Sequence, residues 1–293
     1  KEAALWLPTG TMANQVALRV LTRPGDHVVV SRESHAVWHE TGGAGANAGV
    51  QLTEIGTRGV FTADEFLAAR NPRGHMLLPP TLVVEIENTH NRAGGVVFPQ
   101  DEVRRICAAA RDHGVASYLD GARLWNASVA SRCSPADLAM PFDLVSVALS
   151  KGLGAPGGSL LAGSRAVTGA GVRHRRMFGG GMRQVGIFAA AGLHTLDHHM
   201  SRLADDHDNA ALIAKRITES ARVILERDTV QTNIIVFSVT GGAPDGPTIV
   251  ARAREHGVLL IAFGPRTIRL VTHLDVTREQ CEQAAQVLLE IIG

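Results

Sequence analysis

Lysine and cysteine are scarce in this chain of 293 residues, and their scarcity limits the kinds of site that the chain can form. The three cysteines are widely separated and no CxxC occurs, which argues against a disulfide framework and against a cysteine-rich zinc site. Three lysines, at positions 1, 151 and 215, stand among 29 basic residues, so any lysine chemistry has three candidates. The formal net charge is +1, which argues against a nucleic-acid partner because such proteins usually carry a basic excess.

Long hydrophobic runs are missing as well. Apolar stretches such as 187–193 fall far short of the roughly 18 residues needed to cross a bilayer, and no signal-peptide pattern opens the chain. We therefore expect a soluble, cytoplasmic protein without a membrane partner. The chain does not begin with Met, and residues 1–7 have the pattern of a helix end and a core strand, so we expect the true N-terminus to lie upstream.

Short apolar runs alternate with longer helical patterns over the first 200 residues. Helices are predicted over 11–22 and 99–113, and strands over 27–30, 81–86, 115–119, 144–148 and 159–162. Continuous apolar strands that alternate with helices predict an α/β fold with a mainly parallel central sheet flanked by helices. In such sheets, ligands bind beyond the carboxyl ends of the strands.

The rest of the chain has a different pattern. Residues 184–220 form one long helical stretch, and a strand–helix–strand–strand–helix alternation follows over 232–292. We predict a large domain over 1–200 and a smaller C-terminal α+β domain over 201–293, with the boundary inside a helix.

A lysine and an aspartate follow two of the predicted strands. Lys151 comes directly after the strand 144–148, and partial desolvation there would lower the pKa of its amine and favour Schiff-base chemistry. Asp120 ends the strand before it, where a carboxylate can hold the proton of a pyridine nitrogen, as pyridoxal phosphate (PLP) requires. The alternatives are a solvent-exposed lysine in a turn and an aspartate that caps the next element.

Three other segments lie at the same predicted edge. Gly10 and Thr11 open a helix, where free N–H groups and the helix dipole favour a phosphate, although an ordinary capped helix fits equally well. His35 and His90 each follow a predicted strand, and an imidazole there can stack on a flat ring or relay protons; a structural hydrogen-bonding role is the alternative.

Two other classes of site are disfavoured. No GxxxxGK[ST] or GxGxxG motif occurs, which weakens the case for a dinucleotide-binding oxidoreductase. The histidines and aspartates between 198 and 208 lie on one predicted helix at mixed spacing without HExxH, so we predict a solvated helix face and no metal site.

Together these segments resemble the low-specificity threonine aldolases, which are fold-type I PLP enzymes. The matching stretches run in family order over nearly the whole chain: LPTGTMANQVAL (7–18), ESHAVWHETGGAG (33–45), EIENTHNRAGGVVFP (85–99), YLDGARLWNA (118–127), DLVSVALSKGLGAPGGSLLAG (143–163), RRMFGGGMRQVGIFAAAGL (175–193), ADDHDNAA (204–211) and IRLVTHLDV (268–276). The resemblance implies aldol cleavage of L-threonine or L-allo-threonine to glycine and acetaldehyde, with PLP as the cofactor.

The resemblance also implies roles for individual residues. Lys151 would bind PLP covalently, Asp120 would pair with the pyridine nitrogen, and His35 would stack on the ring face. The phosphate would be held by Gly10, Thr11 and Arg183, the last reaching a neighbouring subunit's site.

The substrate carboxylate would be clamped by Arg123 and Arg269, and the β-hydroxyl would face His90. The base that takes the hydroxyl proton stays open between His90, His35 and an ordered water.

Two departures from the family keep alternatives open. The family carries a further N-terminal segment with a Ser-Asp-Thr-type motif that this sequence does not contain, and His39 stands where the family often has an aromatic residue. The alternatives are another PLP reaction on the same scaffold, such as a β-phenylserine aldolase or a β-eliminating lyase, and a non-catalytic truncated homologue. Because sites in this family are shared between subunits, the resemblance also implies a homodimer or homotetramer.

Overall fold

A computed structural model describes residues 1–293, which form two separate sheets and the helices around them. The strands are β1 (Ala3–Leu7), β2 (His27–Ser31), β3 (Gln51–Ile55), β4 (Thr81–Glu87), β5 (Ala116–Gly121), β6 (Leu144–Ala148), β7 (Ser159–Gly163), β8 (Val223–Leu225), β9 (Ile234–Val239), β10 (Ile261–Ala262) and β11 (Thr267–Val271). The helices are α1 (Gly10–Leu21), α2 (His35–Trp38), α3 (Ala63–Ala69), α4 (Gln100–Asp112), α5 (Leu124–Ser131), α6 (Pro135–Ala139), α7 (Arg165–Met177), α8 (Gly186–His198), α9 (Leu203–Ile217), α10 (Gly246–Glu255) and α11 (Arg278–Ile292), with a short π-helix at Ala44–Ala48. None of these helices is long and apolar enough to cross a membrane.

The larger sheet has seven strands in the order β1-β7-β6-β5-β4-β2-β3. The pairings β3–β2, β2–β4, β4–β5 and β5–β6 are parallel, and the two pairings of β7 are antiparallel. All residues of β2 and β6 are buried, as expected for strands covered on both faces. The predicted mainly parallel α/β sheet is therefore confirmed, and the five predicted strands are each within two residues of the observed ones.

Helix α1 follows β1 directly and covers one face of this sheet. The Thr9 hydroxyl accepts a hydrogen bond from the Met12 N–H and so caps the helix, as its sequence position suggests. Val16 and Leu18 are fully buried against the sheet, so packing as well as local propensity holds the helix in place. The N-terminal end of α1 is thereby fixed relative to the strands.

The smaller sheet is antiparallel, in the order β10-β11-β9-β8, and packs with α9, α10 and α11 around a core that includes Phe237, Ile249 and Leu288. The prediction of one helix over 184–220 is wrong, because α8 and α9 are separated by a turn at 199–202. The turn itself contains no Gly or Pro to mark the break, and His199 is instead tied to the Leu153 carbonyl by its ring nitrogen, at 2.6 Å. The division into domains 1–200 and 201–293 stays a prediction.

Candidate active site

Three neighbouring parallel strands end at one edge of the larger sheet. Glu87 and Asp120 lie side by side at the ends of β4 and β5, and Asp120 is in register with Ser146 of β6. Lys151 follows the end of β6 by three residues. The structure therefore places the lysine and the aspartate at the same sheet edge, where ligands bind in sheets of this kind.

Two adjoining cavities open at this edge and share Arg123 and Lys151. One, of about 460 Å³, is lined by His35, His39, Asn91, Arg92, Arg123, Lys151, Ile261, Ala262, Phe263 and Arg269. The other, of about 360 Å³, is lined by Arg123, Ser150, Lys151, Gly152, Gly154, Ala155, Asn233, Val271, His273, Leu274 and Asp275. A surface cavity of about 510 Å³ between α9 and α11 contains none of the predicted site residues.

Lys151 lies in the loop after β6, where most of its surface is covered by protein. Burial lowers the pKa of its amine to about 8, and the nearby Arg123 guanidinium acts in the same direction, against the carboxylates of Asp120 and Glu87. A lower pKa gives this lysine a larger neutral fraction near neutral pH than an exposed lysine has, and the neutral amine is the nucleophile.

Asp120 is buried at the end of β5, and both of its carboxylate oxygens accept hydrogen bonds. Asn14 donates to Oδ2 at 2.8 Å, and the Ala122 N–H donates to Oδ1 at 3.1 Å. The residue that follows must be glycine, because a Cβ on Gly121 would lie 2.6 Å from the Ser146 carbonyl oxygen. The Asp-Gly pair thus lets β5 approach β6 closely while the carboxylate is held at the sheet edge.

His35 opens α2, and its ring lines the larger cavity. Its backbone N–H donates to Oε2 of Glu87 at 2.9 Å, and its ring stacks on His39 with centroids 5.4 Å apart. Glu87 is a site residue that the sequence prediction missed. Burial alone would raise the pKa of the Glu87 carboxyl, but His90, the N–H groups of Asn91 and His35, and the His35 ring together lower it.

His90 is placed differently from His35. Its side chain is 1% exposed and lines neither cavity. Its Nδ1 accepts a hydrogen bond from the Ala93 N–H at 3.2 Å, and its Nε2 lies 3.5 Å from Oε2 of Glu87. The structure therefore places His90 behind the carboxylate that holds His35, and both of its ring nitrogens face groups of the chain itself.

Arg123 and Arg269 reach the larger cavity from different sheets, since Arg123 follows β5 and Arg269 lies on β11. The Nε atoms of both are buried and have no hydrogen-bond partner. Burial lowers the pKa of Arg269, and burial together with the Arg269 charge lowers that of Arg123 to about 10. Two desolvated guanidinium groups that face one cavity without an acid to pair them form a site for a carboxylate.

The three residues predicted at the phosphate lie outside both cavities. Gly10 and Thr11 occupy the first turn of α1, where the N–H groups have no acceptor within the helix. Arg183 is exposed in the segment between α7 and α8. The chain by itself does not bring Arg183 to Lys151.

Asn233 is another residue that the sequence prediction missed. It is buried just before β9, its amide nitrogen donates to the Thr272 carbonyl at 2.9 Å, and its Oδ1 has no partner. Because Asn233 lines the smaller cavity, this free acceptor lies beside Arg123 and Lys151. A single asparagine in a short TN sequence has no spacing signal that would have revealed it.

Comparison with known proteins agrees with this geometry. The sequence model described as Beta-eliminating lyase matches residues 1–240. Low specificity L-threonine aldolase of Escherichia coli (strain K12) is 37% identical over 287 residues, which cover 97% of this chain and 83% of the relative. Low-specificity L-threonine aldolase 1 of Arabidopsis thaliana is 34% identical, covering 94% of this chain and 79% of the relative. The chain belongs to the low-specificity threonine aldolases of the Beta-eliminating lyase family.

Solved structures show that this threonine aldolase family member has the expected fold. The threonine aldolase of Leishmania major matches with a TM-score of 0.80 at 20% identity, covering 99% of this chain and 84% of that one. A double mutant of Thermus thermophilus aspartate aminotransferase matches with a TM-score of 0.72 at 16% identity, covering 99% of this chain and 76% of that one. The predicted fold-type I architecture is therefore confirmed.

Proposed function

We propose that this threonine aldolase family member is a PLP-dependent carbon–carbon lyase that cleaves L-threonine or L-allo-threonine to glycine and acetaldehyde. The observation that carries the proposal is the convergence of Lys151, Arg123 and Arg269 on one cavity. The lysine provides a partly neutral amine, and the arginines provide a site for an amino-acid carboxylate. The names of the Escherichia coli and Arabidopsis thaliana relatives support the same reaction.

The chemistry of the residues at the sheet edge fits PLP. We assign covalent binding to Lys151, the pyridine nitrogen to Asp120 and the ring face to His35. The first turn of α1, at Gly10 and Thr11, fits a phosphate because its N–H groups lack helical acceptors. When bound, PLP supplies an electron sink for the negative charge left on Cα as the Cα–Cβ bond breaks.

The two arginines orient the substrate. A carboxylate held by Arg123 and Arg269 fixes the amino acid at one end, and its amine is directed towards Lys151. Fixing the carboxylate and the amine limits rotation of the substrate, so its Cα–Cβ bond is held in one orientation. The substrate side chain then extends towards His39 and Phe263. We propose that these two side chains surround the β-substituent.

A base must take the β-hydroxyl proton while the Cα–Cβ bond breaks, and Cα must then gain a proton to give glycine. His35 lines the cavity, whereas both ring nitrogens of His90 face the chain. We therefore propose that His35, directly or through a water, accepts the hydroxyl proton. His90 would then act through Glu87, and a direct role for His90 requires its ring to turn towards the cavity.

We further propose a homodimer or homotetramer in the cytoplasm. Helix α8 exposes large apolar side chains, with Ile187 72% and Leu193 64% exposed, which supports burial of this helix against another copy. Arg183 lies just before α8, so such contact would carry it towards a partner's phosphate site. The unbonded Cys107 and Cys281 are buried as free thiols, which supports a reducing compartment.

The deciding experiment measures the products formed from threonine and allo-threonine, with and without added PLP. We expect glycine and acetaldehyde in equal amounts, only with PLP. Ammonia and a keto acid instead would identify a β-eliminating lyase. Absence of any product from a chain that binds PLP would contradict the proposed reaction and favour a non-catalytic homologue.

A further inference from the structure

A row of buried polar side chains lies behind Asp120, on the face of the larger sheet that α1 covers. Its buried members are Asn14, Gln15, Glu40 and Tyr118, and the exposed Asn47 joins it at the surface; we refer to these five residues as the polar row. They are joined by hydrogen bonds that run from the π-helix through α1 to β5. None of these residues has a role in the proposed function above.

Asn14 is the branching point of the polar row. Its Nδ2 donates to Oδ2 of Asp120 at 2.8 Å and to Oε1 of Glu40 at 2.9 Å. Its Oδ1 accepts a hydrogen bond from the Tyr118 hydroxyl. An amide has two N–H groups, and both are used on acids, so the side chain has no freedom to turn while these partners are present.

Glu40 is held at both carboxyl oxygens. Its second oxygen accepts from Nε2 of Gln15 at 2.6 Å, and Asn47 in turn donates to Oε1 of Gln15 at 3.1 Å, which fixes the direction of the Gln15 amide. Gly43 must be glycine for this contact, because a Cβ there would lie 2.8 Å from Nε2 of Gln15. Packing around the polar row thus explains the glycine at position 43.

The Glu40 carboxyl also faces the His35 ring, with Oε1 3.7 Å from Nε2. Burial raises the pKa of Glu40 to about 8, and Asp120 acts in the same direction, while Gln15, Asn14 and Lys151 oppose the shift. The titratable groups that face this carboxyl are His35 on α2, Asp120 on β5, Glu85 on β4 and Lys151. One carboxyl therefore stands between the two side chains that we assign to the cofactor ring.

We propose that Glu40 is a positioning residue, which faces the His35 ring across 3.7 Å and orients it electrostatically, and which holds Asp120 through Asn14. Helix α1 makes this arrangement rigid: Gly10 and Thr11 form its first turn, and Asn14 and Gln15 follow one turn later, about 6 Å along the axis. One helix thereby sets the separation between the phosphate end and the ring end of the site. The inference rests on the assignment of PLP in the proposed function.

Two variants test the inference on the PLP-loaded protein. Glu40→Gln keeps the shape but removes the titratable carboxyl, and it sets the new amide against the amide of Asn14 or Gln15. The double variant Gln15→Glu with Glu40→Gln restores a donor–acceptor pair and the number of carboxyl groups, but it moves the carboxyl away from His35. The measurements are the pH titration of the cofactor absorbance, the affinity for PLP, kcat and KM for threonine, and the melting temperature.

For Glu40→Gln we expect kcat to fall about 10–100-fold, by analogy with the loss seen when hydrogen-bond partners of metal ligands are removed. KM should change little because Arg123 and Arg269 are untouched, and the midpoint of the absorbance titration should move. In the double variant the melting temperature should recover, whereas kcat and the titration midpoint should not. Asn209→Ala, at a buried asparagine of α9 outside the polar row, is the control that should leave the midpoint in place.

A wild-type titration midpoint in Glu40→Gln would overturn the inference. Full recovery of kcat and of the midpoint in the double variant would also overturn it, because a purely structural role needs only the hydrogen bonds. If the wild-type protein binds PLP but does not cleave threonine, the proposed reaction fails. The absorbance titration then still decides the role of Glu40.

Discussion

Strands β4 and β5 have one apolar face and one face that carries carboxyl groups. The apolar face presents Val84, Ile86 and Leu119, which pack with helix α4 in a single core cluster. The other face presents Glu85, Glu87 and Asp120, all of them buried. Because successive side chains of a strand point to opposite faces, one short segment serves both stability and chemistry. Substitutions on the two faces should therefore affect different measurements.

The largest effect is expected at the edge of the polar face, from Lys151→Ala. Loss of the only lysine in the cavities removes the covalent link to PLP, so activity should fall by several orders of magnitude and the visible absorbance of the bound cofactor should disappear. Lys215→Ala, on the exposed side of α9, should change neither. Normal turnover by Lys151→Ala would contradict the assignment of the site.

In helix α4, which packs against the apolar face, Ile106→Ala should lower stability without altering the site. Ile106 is fully buried in the cluster with Val84 and Ile86, so its truncation should cost about 2–5 kcal/mol of unfolding free energy. Denaturant unfolding of the PLP-loaded protein measures this loss. If the cofactor absorbance titration also moves, the two faces are not independent.

The substrate clamp should respond more mildly, through Arg269→Lys. Lysine keeps the charge but loses the forked pair of donors, which should cost about 2 kcal/mol, or roughly 30-fold in kcat/KM. The cofactor absorbance should be unaffected, because the proposed role of Arg269 is at the carboxylate. Arg252→Lys on α10 is the matched control on an exposed helix face. An unchanged kcat/KM in Arg269→Lys would remove this arginine from the clamp.

Local patterns predicted the well-buried elements better than the exposed ones. Strand β6 matches its predicted bounds, and helix α1 begins and ends within one residue of them, because continuous burial and a 3.6-residue period are visible within one segment. Strand β3 was not predicted, since it lies at the sheet edge and its side chains are only partly buried. Helix α7 was also not predicted; its sequence is rich in arginine and only Thr168 and Gly171 are buried.

Site residues could be predicted where a reactive side chain directly follows a strand, as Lys151 and Asp120 do. The supporting residues were not, because their partners are distant in sequence. Asn14 bonds to a residue 26 positions away and to another 106 positions away, and no spacing rule connects them. Glu87 was missed for the same reason, since its role follows from the His35 and His90 that it contacts and not from its own neighbours in the chain.

A gain in stability, and the sharpest comparison of the two faces, is expected from Glu85→Gln. Glu85 is 1% exposed on the polar face, and neither carboxyl oxygen has a hydrogen-bond partner. Burial raises its pKa well above the ordinary value, and the neighbouring carboxylates of Asp120, Glu40 and Glu87 add to the shift. The folded protein therefore keeps a proton on Glu85 that the unfolded chain releases above about pH 4.5.

The sign of the pH dependence follows from that difference. Above the unfolded pKa the folded state binds more protons, so the contribution of Glu85 to stability falls as pH rises towards the folded pKa. Glu85→Gln should remove this loss, raising stability by about 1–3 kcal/mol at neutral pH, with a gap to wild type that grows between pH 5 and pH 8. Paired unfolding curves across this range measure the gap, and Glu255→Gln, at an exposed position of α10, should show none. A gap that does not change with pH would mean that Glu85 is ionised in the folded protein, and the polar face would then contain an uncompensated buried charge in place of a neutral acid.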